Sequence, residues 1–178
     1  MIVWAFIIAA VLLSLERLTY YYISHYPERW STVCERSALR VLGRPVQVLH
    51  RLFYLFKVVQ MAVFLGWCAL FSGDLLPLPT ADAVSGTVGG LLLLAGLVLN
   101  LTVFRQLGTT GVFYGAQLGH QVRWIEGFPF SLLRHPQYVG TLLSIWGFFL
   151  IMRFPHDDWI VLPLLETVYY AIGARHEV

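Results

Sequence analysis

The stretch Ala83-Val84-Ser85-Gly86-Thr87-Val88-Gly89-Gly90-Leu91-Leu92-Leu93-Leu94-Ala95-Gly96-Leu97-Val98-Leu99-Asn100-Leu101-Thr102-Val103-Phe104 decides the fold. It carries no charge from end to end. As a helix rising ~1.5 Å per residue it reaches across ~30 Å of hydrocarbon. On its N-terminal side, Ser72 to Asp82 is a short loop with Pro77, Pro79, Asp74 and Asp82. Before that loop, Leu52 to Phe71 is a second span with Lys57 and Gln60 near its start. Met1 to Leu15, continued by Leu18 to Ile23, is a span interrupted by Glu16 and Arg17. Those two either pair or leave Arg17 to snorkel towards water. Tyr20, Tyr21, Tyr22 and Tyr26 then read as an interfacial aromatic belt. On the C-terminal side, Arg105 to Gln137 is a polar and aromatic connector. Tyr138 to Met152 and Trp159 to Gly173 flank Arg153 to Asp158. Each is short for a span, so the two are expected to form a tilted hairpin that crosses as a pair.

The expected fold is therefore all-α, an integral membrane helical bundle of about five helices, the last two a tilted C-terminal hairpin. Residues 1–178 are read as a single multi-pass domain. Composition agrees: 58% of residues are apolar and 12% charged, with a mean hydropathy of +0.69. A net charge of +2 gives no footing for nucleic acid. Cys34 and Cys68 lie far apart in no metal-ligand spacing, and neither do His120, His135 and His176, so no metal is expected. The first segment lacks a basic leader and a small-residue cleavage site, and is expected to be retained.

Basic residues set the expected orientation. Arg29, Arg36, Arg40 and Arg44 follow the first span, and Arg105, Arg123 and Arg134 follow the third. The other two loops hold Asp74, Asp82, Asp157 and Asp158 against Arg153. By the positive-inside rule the N-terminus is outside or lumenal and the C-terminus cytosolic. The membrane would be the endoplasmic reticulum in a eukaryote and the inner membrane in a bacterium.

Phe128-Pro129-Phe130-Ser131-Leu132-Leu133-Arg134-His135-Pro136-Gln137-Tyr138-Val139-Gly140 is the chemically richest stretch. Pro136 pushes His135 out of helical dihedrals and then starts a helix itself. Arg134, His135 and Pro136 thus stand at a helix mouth whose free N–H groups suit a carboxylate or phosphate oxygen. A plain proline turn between two spans is the other reading. Leu107 to Gly115 holds three glycines, suited to a ligand lying against the backbone or to a tight turn. Glu166, inside the last apolar stretch, either lines a site or pairs with Lys57 or Arg153. Glu177 is either a ligand contact or a solvated terminal residue.

These motifs resemble a known family. Leu107-Gly108 through Tyr114-Gly115, then Phe128-Pro129-Phe130, then Pro136-Gln137-Tyr138-Val139-Gly140 are similar to the phospholipid N-methyltransferases, which methylate phosphatidylethanolamine and its monomethyl and dimethyl forms. A narrower likeness, Arg134-His135-Pro136 with Tyr138 and Gly140, extends to isoprenylcysteine carboxyl methyltransferases. The resemblance implies S-adenosylmethionine as cofactor. It places a Gly-x-Gly contact at Leu94-Ala95-Gly96, where one glycine remains. It places an acidic pair at His176-Glu177, where one acid remains. His135 stands where the family carries Asn or Asp, which suits a headgroup or cofactor contact.

The implied reaction is methyl transfer to the amine of a phosphatidylethanolamine-series lipid, leading to phosphatidylcholine. The amine must be neutral to attack, and a low dielectric at headgroup depth favours that form. Tyr138, Glu126 and Tyr114 are the candidate proton acceptors or orienting groups. The ring of Tyr138 also suits a cation–π contact with the methylsulfonium or the ammonium. Arg134, His135 and Pro136 suit the lipid phosphate or the cofactor carboxylate. A methyltransferase of another acceptor, such as an isoprenylcysteine carboxylate, and a non-catalytic membrane scaffold or transporter are the alternatives. The expected partners are a bilayer phospholipid and S-adenosylmethionine, and a homo-oligomer stays open.

Overall fold

The computed structural model describes residues 2–122 and 125–176. Among these residues the regular structure is wholly helical. The α-helices are α1 (Ile2–His25), α2 (Pro27–Arg36), α3 (Pro45–Ser72), α4 (Ala83–Val112), α5 (Pro136–Met152) and α6 (Val161–His176). Short 3-10 turns cover Ala38–Leu42 and Asp157–Ile160. The chain is a helical membrane protein: α1, α3 and α4 are each long and apolar enough to cross a bilayer. α5 has 17 residues and α6 has 16, so each reaches only ~25 Å.

Proline and glycine punctuate these helices in the expected way. Pro27, Pro45 and Pro136 each sit in a first turn, where a missing N–H costs nothing. Gly73, in the left-handed region at φ 78°, ends α3. Asp82 caps α4 by accepting from the Ser85 N–H at 2.7 Å. The Ser85 hydrogen bonds hold its carboxyl below the usual range.

Three features go beyond the sequence reading. The arginine-bearing connector after α1 folds in part as α2, which buries Trp30 and Cys34 and exposes Glu28, Arg29, Glu35 and Arg36. Burial pushes the Cys34 thiol up to about 11, which makes it an apolar filler. α4 runs past Phe104 to Val112, with its helical dihedrals broken at Gly108 (φ 63°). Finally, α5 packs most extensively on α4 and only secondarily on α6.

The reason for the α4–α5 packing is a glycine register. Gly89 meets Gly147, and Gly96 meets Gly140, across two antiparallel helices. Both glycine pairs are seven residues apart, two helical turns, so they repeat on one face. A methyl group at Gly140 would lie 2.9 Å from the Gly96 carbonyl oxygen. In lipid, where apolar burial gives helices no preference for each other, such small-residue contact drives association.

The interior has two apolar clusters. One joins α1, α3, α5 and α6 through Leu13, Phe64, Phe149 and Leu162. The other joins α1, α2, α3 and the end of α4 through Ile23, Trp30, Leu49 and Phe113. Between them lies a polar ladder. Arg17 Nη2 meets Glu16 at 3.0 Å, and Lys57 Nζ donates to Glu16 and to Gln60 at 3.1 Å each. Gln60 Nε2 then donates to Glu166 Oε1 at 2.6 Å. Glu16 and Arg17 pair as one sequence reading expected. Glu166 takes an amide partner rather than Lys57 or Arg153.

Candidate functional site

Three cavities converge where α1 passes the start of α5. The first, of about 280 Å³, lies inside the bundle and is lined by Glu16, Lys57, Asn100, Thr141 and a set of apolar side chains. The second, of about 350 Å³, lies between α1 and α6. The third, of about 520 Å³, is the most polar and is lined by Ser24, His25, Tyr114, Gln117, His135 and His176, among others. Tyr20 and Tyr138 line all three.

The wall between them is an arginine boxed by tyrosines. The Arg17 guanidinium carbon lies 3.9 Å from the Tyr170 ring centroid, 5.3 Å from Tyr20 and 5.4 Å from Tyr138. Such cation–π contacts strengthen when water is excluded. Tyr170 meets the Tyr138 ring edge-on at 5.1 Å. The Arg17 Nη1 atom is buried with no hydrogen-bond partner, so beyond the Nη2–Glu16 pair this guanidinium leans on ring faces. Arg17 therefore does not snorkel, and Tyr20, at 8% exposure, leaves the expected aromatic belt for the site. Tyr21, Tyr22 and Tyr26 remain exposed.

Local geometry delivers the other side chains. His135 is non-helical at φ −128°, ψ 68°, as the following proline requires. Its ring stacks on Tyr138 with centroids 5.6 Å apart. With His135 on the Tyr138 ring and Arg17 over it, Tyr138 forms part of the wall between the cavities. The N–H groups of Tyr138 and Val139 fold back to the His135 carbonyl at 3.1 and 3.2 Å. Tyr114 has φ 54°, and the Gly115 N–H closes on the Thr110 carbonyl at 2.9 Å. A Cβ at Gly115 would meet that carbonyl, so this glycine serves a tight turn. The turn brings the Tyr114 ring to 5.7 Å from Tyr20.

Of the candidates read from the sequence, His135, Tyr138, Tyr114 and His176 thus meet on the third cavity, with Pro136 buried behind them as the first residue of α5. Others lie elsewhere. Leu94 is 58% exposed on the outer face of α4, Ala95 is exposed beside it, and Gly96 is filled by the α5 backbone. The Leu94-Ala95-Gly96 position is a helix–helix contact and its lipid-facing flank. Glu126 and Arg134 line a neighbouring groove with Leu107, Gln117 and Phe130, and none of the three cavities; Gln117 borders both this groove and the third cavity. Glu177 lies outside the described residues. Among the described residues no three His, Cys, Asp or Glu side chains converge as a metal site would need.

The sequence reading did not bring Arg17, Tyr20, Lys57, Gln60 and Tyr170 together, as the structure does. Their signal was present: Glu16, Arg17 and Lys57 are charges inside spans, and such residues are costly unless they have a use.

The profile of the phospholipid methyltransferase family matches residues 84–177, more than half of the chain. The chain belongs to this family. It is 28% identical over 139 residues to phosphatidyl-N-methylethanolamine N-methyltransferase of Arabidopsis thaliana, a match spanning 78% of this chain and 75% of that one. It is 24% identical over 113 residues to phosphatidylethanolamine N-methyltransferase B of Dictyostelium discoideum, across 63% of this chain and 56% of that one. No solved structure matches significantly. The matched region begins at the start of α4, so α1 and α3, which bring Arg17, Tyr20 and Lys57, precede it.

Proposed function

We propose that this enzyme methylates the headgroup amine of the phosphatidylethanolamine series, acting on the monomethyl and dimethyl forms, with S-adenosylmethionine as donor. The observation that carries the reading is the shared wall: Tyr20 and Tyr138 border both the polar third cavity and the first cavity inside the bundle. A soluble cofactor and a lipid amine can then approach one point from two sides.

The third cavity fits the cofactor in size and in chemistry. Its volume of about 520 Å³ lies in the range that holds drug-sized ligands, roughly 300–1,000 Å³. Ser24 and Gln117 offer hydrogen bonds to hydroxyl and amino groups, and His25, His135 and His176 offer rings and ring nitrogens. S-adenosylmethionine, when bound, supplies an electrophilic methyl group. The remaining work is positioning, and the boxed Arg17 keeps the Tyr20 and Tyr138 rings in place for it. Glu16 is the carboxylate that lines the first cavity, which makes it the candidate to take the proton an ammonium headgroup must lose before its nitrogen attacks. It replaces Glu126 in that role.

The orientation proposed is N-terminus outside and C-terminus cytosolic, which puts the third cavity on the cytosolic side. Cysteines placed at exposed Gln121 and Leu75 should label from opposite faces. The activity is tested with purified protein in nanodiscs containing monomethyl phosphatidylethanolamine and methyl-labelled S-adenosylmethionine. Labelled dimethyl and trimethyl lipid is expected. Cofactor binding without any lipid product would turn the reading towards another acceptor.

A further inference from the structure

α3 and α4 follow one another in the chain, yet their backbones make no extended contact. Side chains bridge the gap instead, with the Phe53 and Phe104 ring centroids 6.0 Å apart. The first cavity lies behind this gap, lined from α3 by Lys57, Met61 and Phe64 and from α4 by Leu93, Asn100 and Phe104. Met61 is 46% exposed and sits at its edge. Inside, one part of the lining is apolar and another carries an ion pair. Lys57 Nζ meets Glu16 Oε2 at 3.1 Å, with 27% of the Lys57 side chain exposed.

We propose that a zwitterionic phospholipid enters this chamber sideways from the bilayer between α3 and α4, and that the Lys57–Glu16 pair reads its headgroup. This rests on the lipid methylation proposed above and names where that lipid binds. The argument is charge pairing in a medium that cannot solvate charge. A buried ion whose partner is removed is strongly destabilised. A ligand that inserted a cation alone would take Glu16 Oε2 from Lys57 and leave Lys57 without a counter-ion, while Arg17 stays on Glu16 Oε1. A ligand that carries a phosphate and an ammonium on one short bridge gives Lys57 an oxygen and Glu16 an N–H donor at once. The pair is thus exchanged and no charge is stranded. The acyl chains find Phe64, Ile145 and Phe148 in the same chamber. The cavity between α1 and α6 is the competing entrance, but neither Lys57 nor Glu16 lines it.

Two measurements decide this. The first does not need turnover. A phosphatidylethanolamine with a diazirine in its acyl chain is photolysed with the wild-type protein in nanodiscs, and the adducts are mapped by mass spectrometry. Adducts on Met61, Phe64 or Leu93 are expected. Adducts confined to Leu18 and Ile172 would place the lipid between α1 and α6 and overturn the proposal. The second compares Lys57→Met, Lys57→Arg and Met61→Trp for lipid KM and for S-adenosylmethionine affinity. Lys57→Met and Met61→Trp should each raise the lipid KM about tenfold, equivalent to ~1.4 kcal/mol of binding, with cofactor affinity unchanged. Lys57→Arg should recover most of the loss, and a long-chain amine without a phosphate should compete poorly with the zwitterionic substrate. Unchanged lipid KM in both variants, or cofactor affinity that falls in step with it, would overturn the proposal. A wild-type protein that methylates lipid under either result leaves the broader function standing, whereas absence of lipid methylation fails that function instead.

Discussion

Arg153 and Arg17 are both buried in a membrane bundle, their side chains 3% and 11% exposed, and they are partnered in opposite ways. Arg153 follows α5, where its Nε and Nη2 both meet the carboxylate of Asp158, Nε at 2.9 Å. Trp67 Nε1 donates to the same carboxylate at 3.1 Å. The Thr80 hydroxyl meets the neighbouring Phe154 carbonyl at 2.7 Å. This corner is a clasp that ties α3, the loop before α4, the end of α5 and the turn before α6 through satisfied polar groups. Arg17 has one ion-pair partner, one buried nitrogen without a partner, and three tyrosine rings around it. It borders two cavities, whereas Arg153 lines none of the cavities described. The contrast separates a buried charge paired through oxygens from one boxed by rings at a cavity wall.

The clasp should give the largest effect when broken. Asp158→Ala strands a buried guanidinium, which costs on the order of 3–5 kcal/mol. At ~2–4 °C per kcal/mol for a chain of this size the melting temperature should fall by roughly 10 °C. Activity per folded molecule should stay near normal, and a selective loss of turnover with normal melting would erase the distinction drawn here. Arg17→Gln should do the reverse. Methyl transfer should drop about 100-fold, ~2.7 kcal/mol in the barrier. The thermal shift should be well below that of Asp158→Ala, because Glu16 keeps Lys57. If both variants lose stability and activity in proportion, Arg17 is another clasp.

A smaller effect is expected at the wall itself. Tyr138→Ala joins the cavities and should cost about tenfold in turnover through lost alignment. Tyr138→Phe keeps the ring and should cost less, and equal losses would shift the role from ring to hydroxyl. The smallest effects belong to residues that line none of the three cavities. Leu94→Val and Glu126→Gln should leave cofactor affinity and turnover within about twofold, as ordinary surface changes do. A marked rise in the S-adenosylmethionine KM of Leu94→Val would return the cofactor to the outer face of α4.

The sequence by itself determined the class of protein. Uncharged runs such as Ala83 to Phe104 can only be satisfied as helices in lipid, because hydrocarbon offers no partner for free backbone groups. It also determined where α5 begins, since Pro136 constrains both itself and His135 whatever surrounds them. The family resemblance came from the same short-range chemistry. What the tertiary structure decided was which polar residues meet. Helix periodicity says that Gly96 and Gly140 each repeat with a glycine two turns away, but only the pairing of α4 with α5 turns them into one contact. That contact fills the space at Gly96 where a cofactor was expected. Arg17 and Tyr138 are far apart in the chain and share no motif. They meet because α1 crosses the mouth of α5, and burial there leaves the guanidinium only ring faces and Glu16 to rest against. Long-range packing sets such encounters, and one-dimensional spacing carries no record of it.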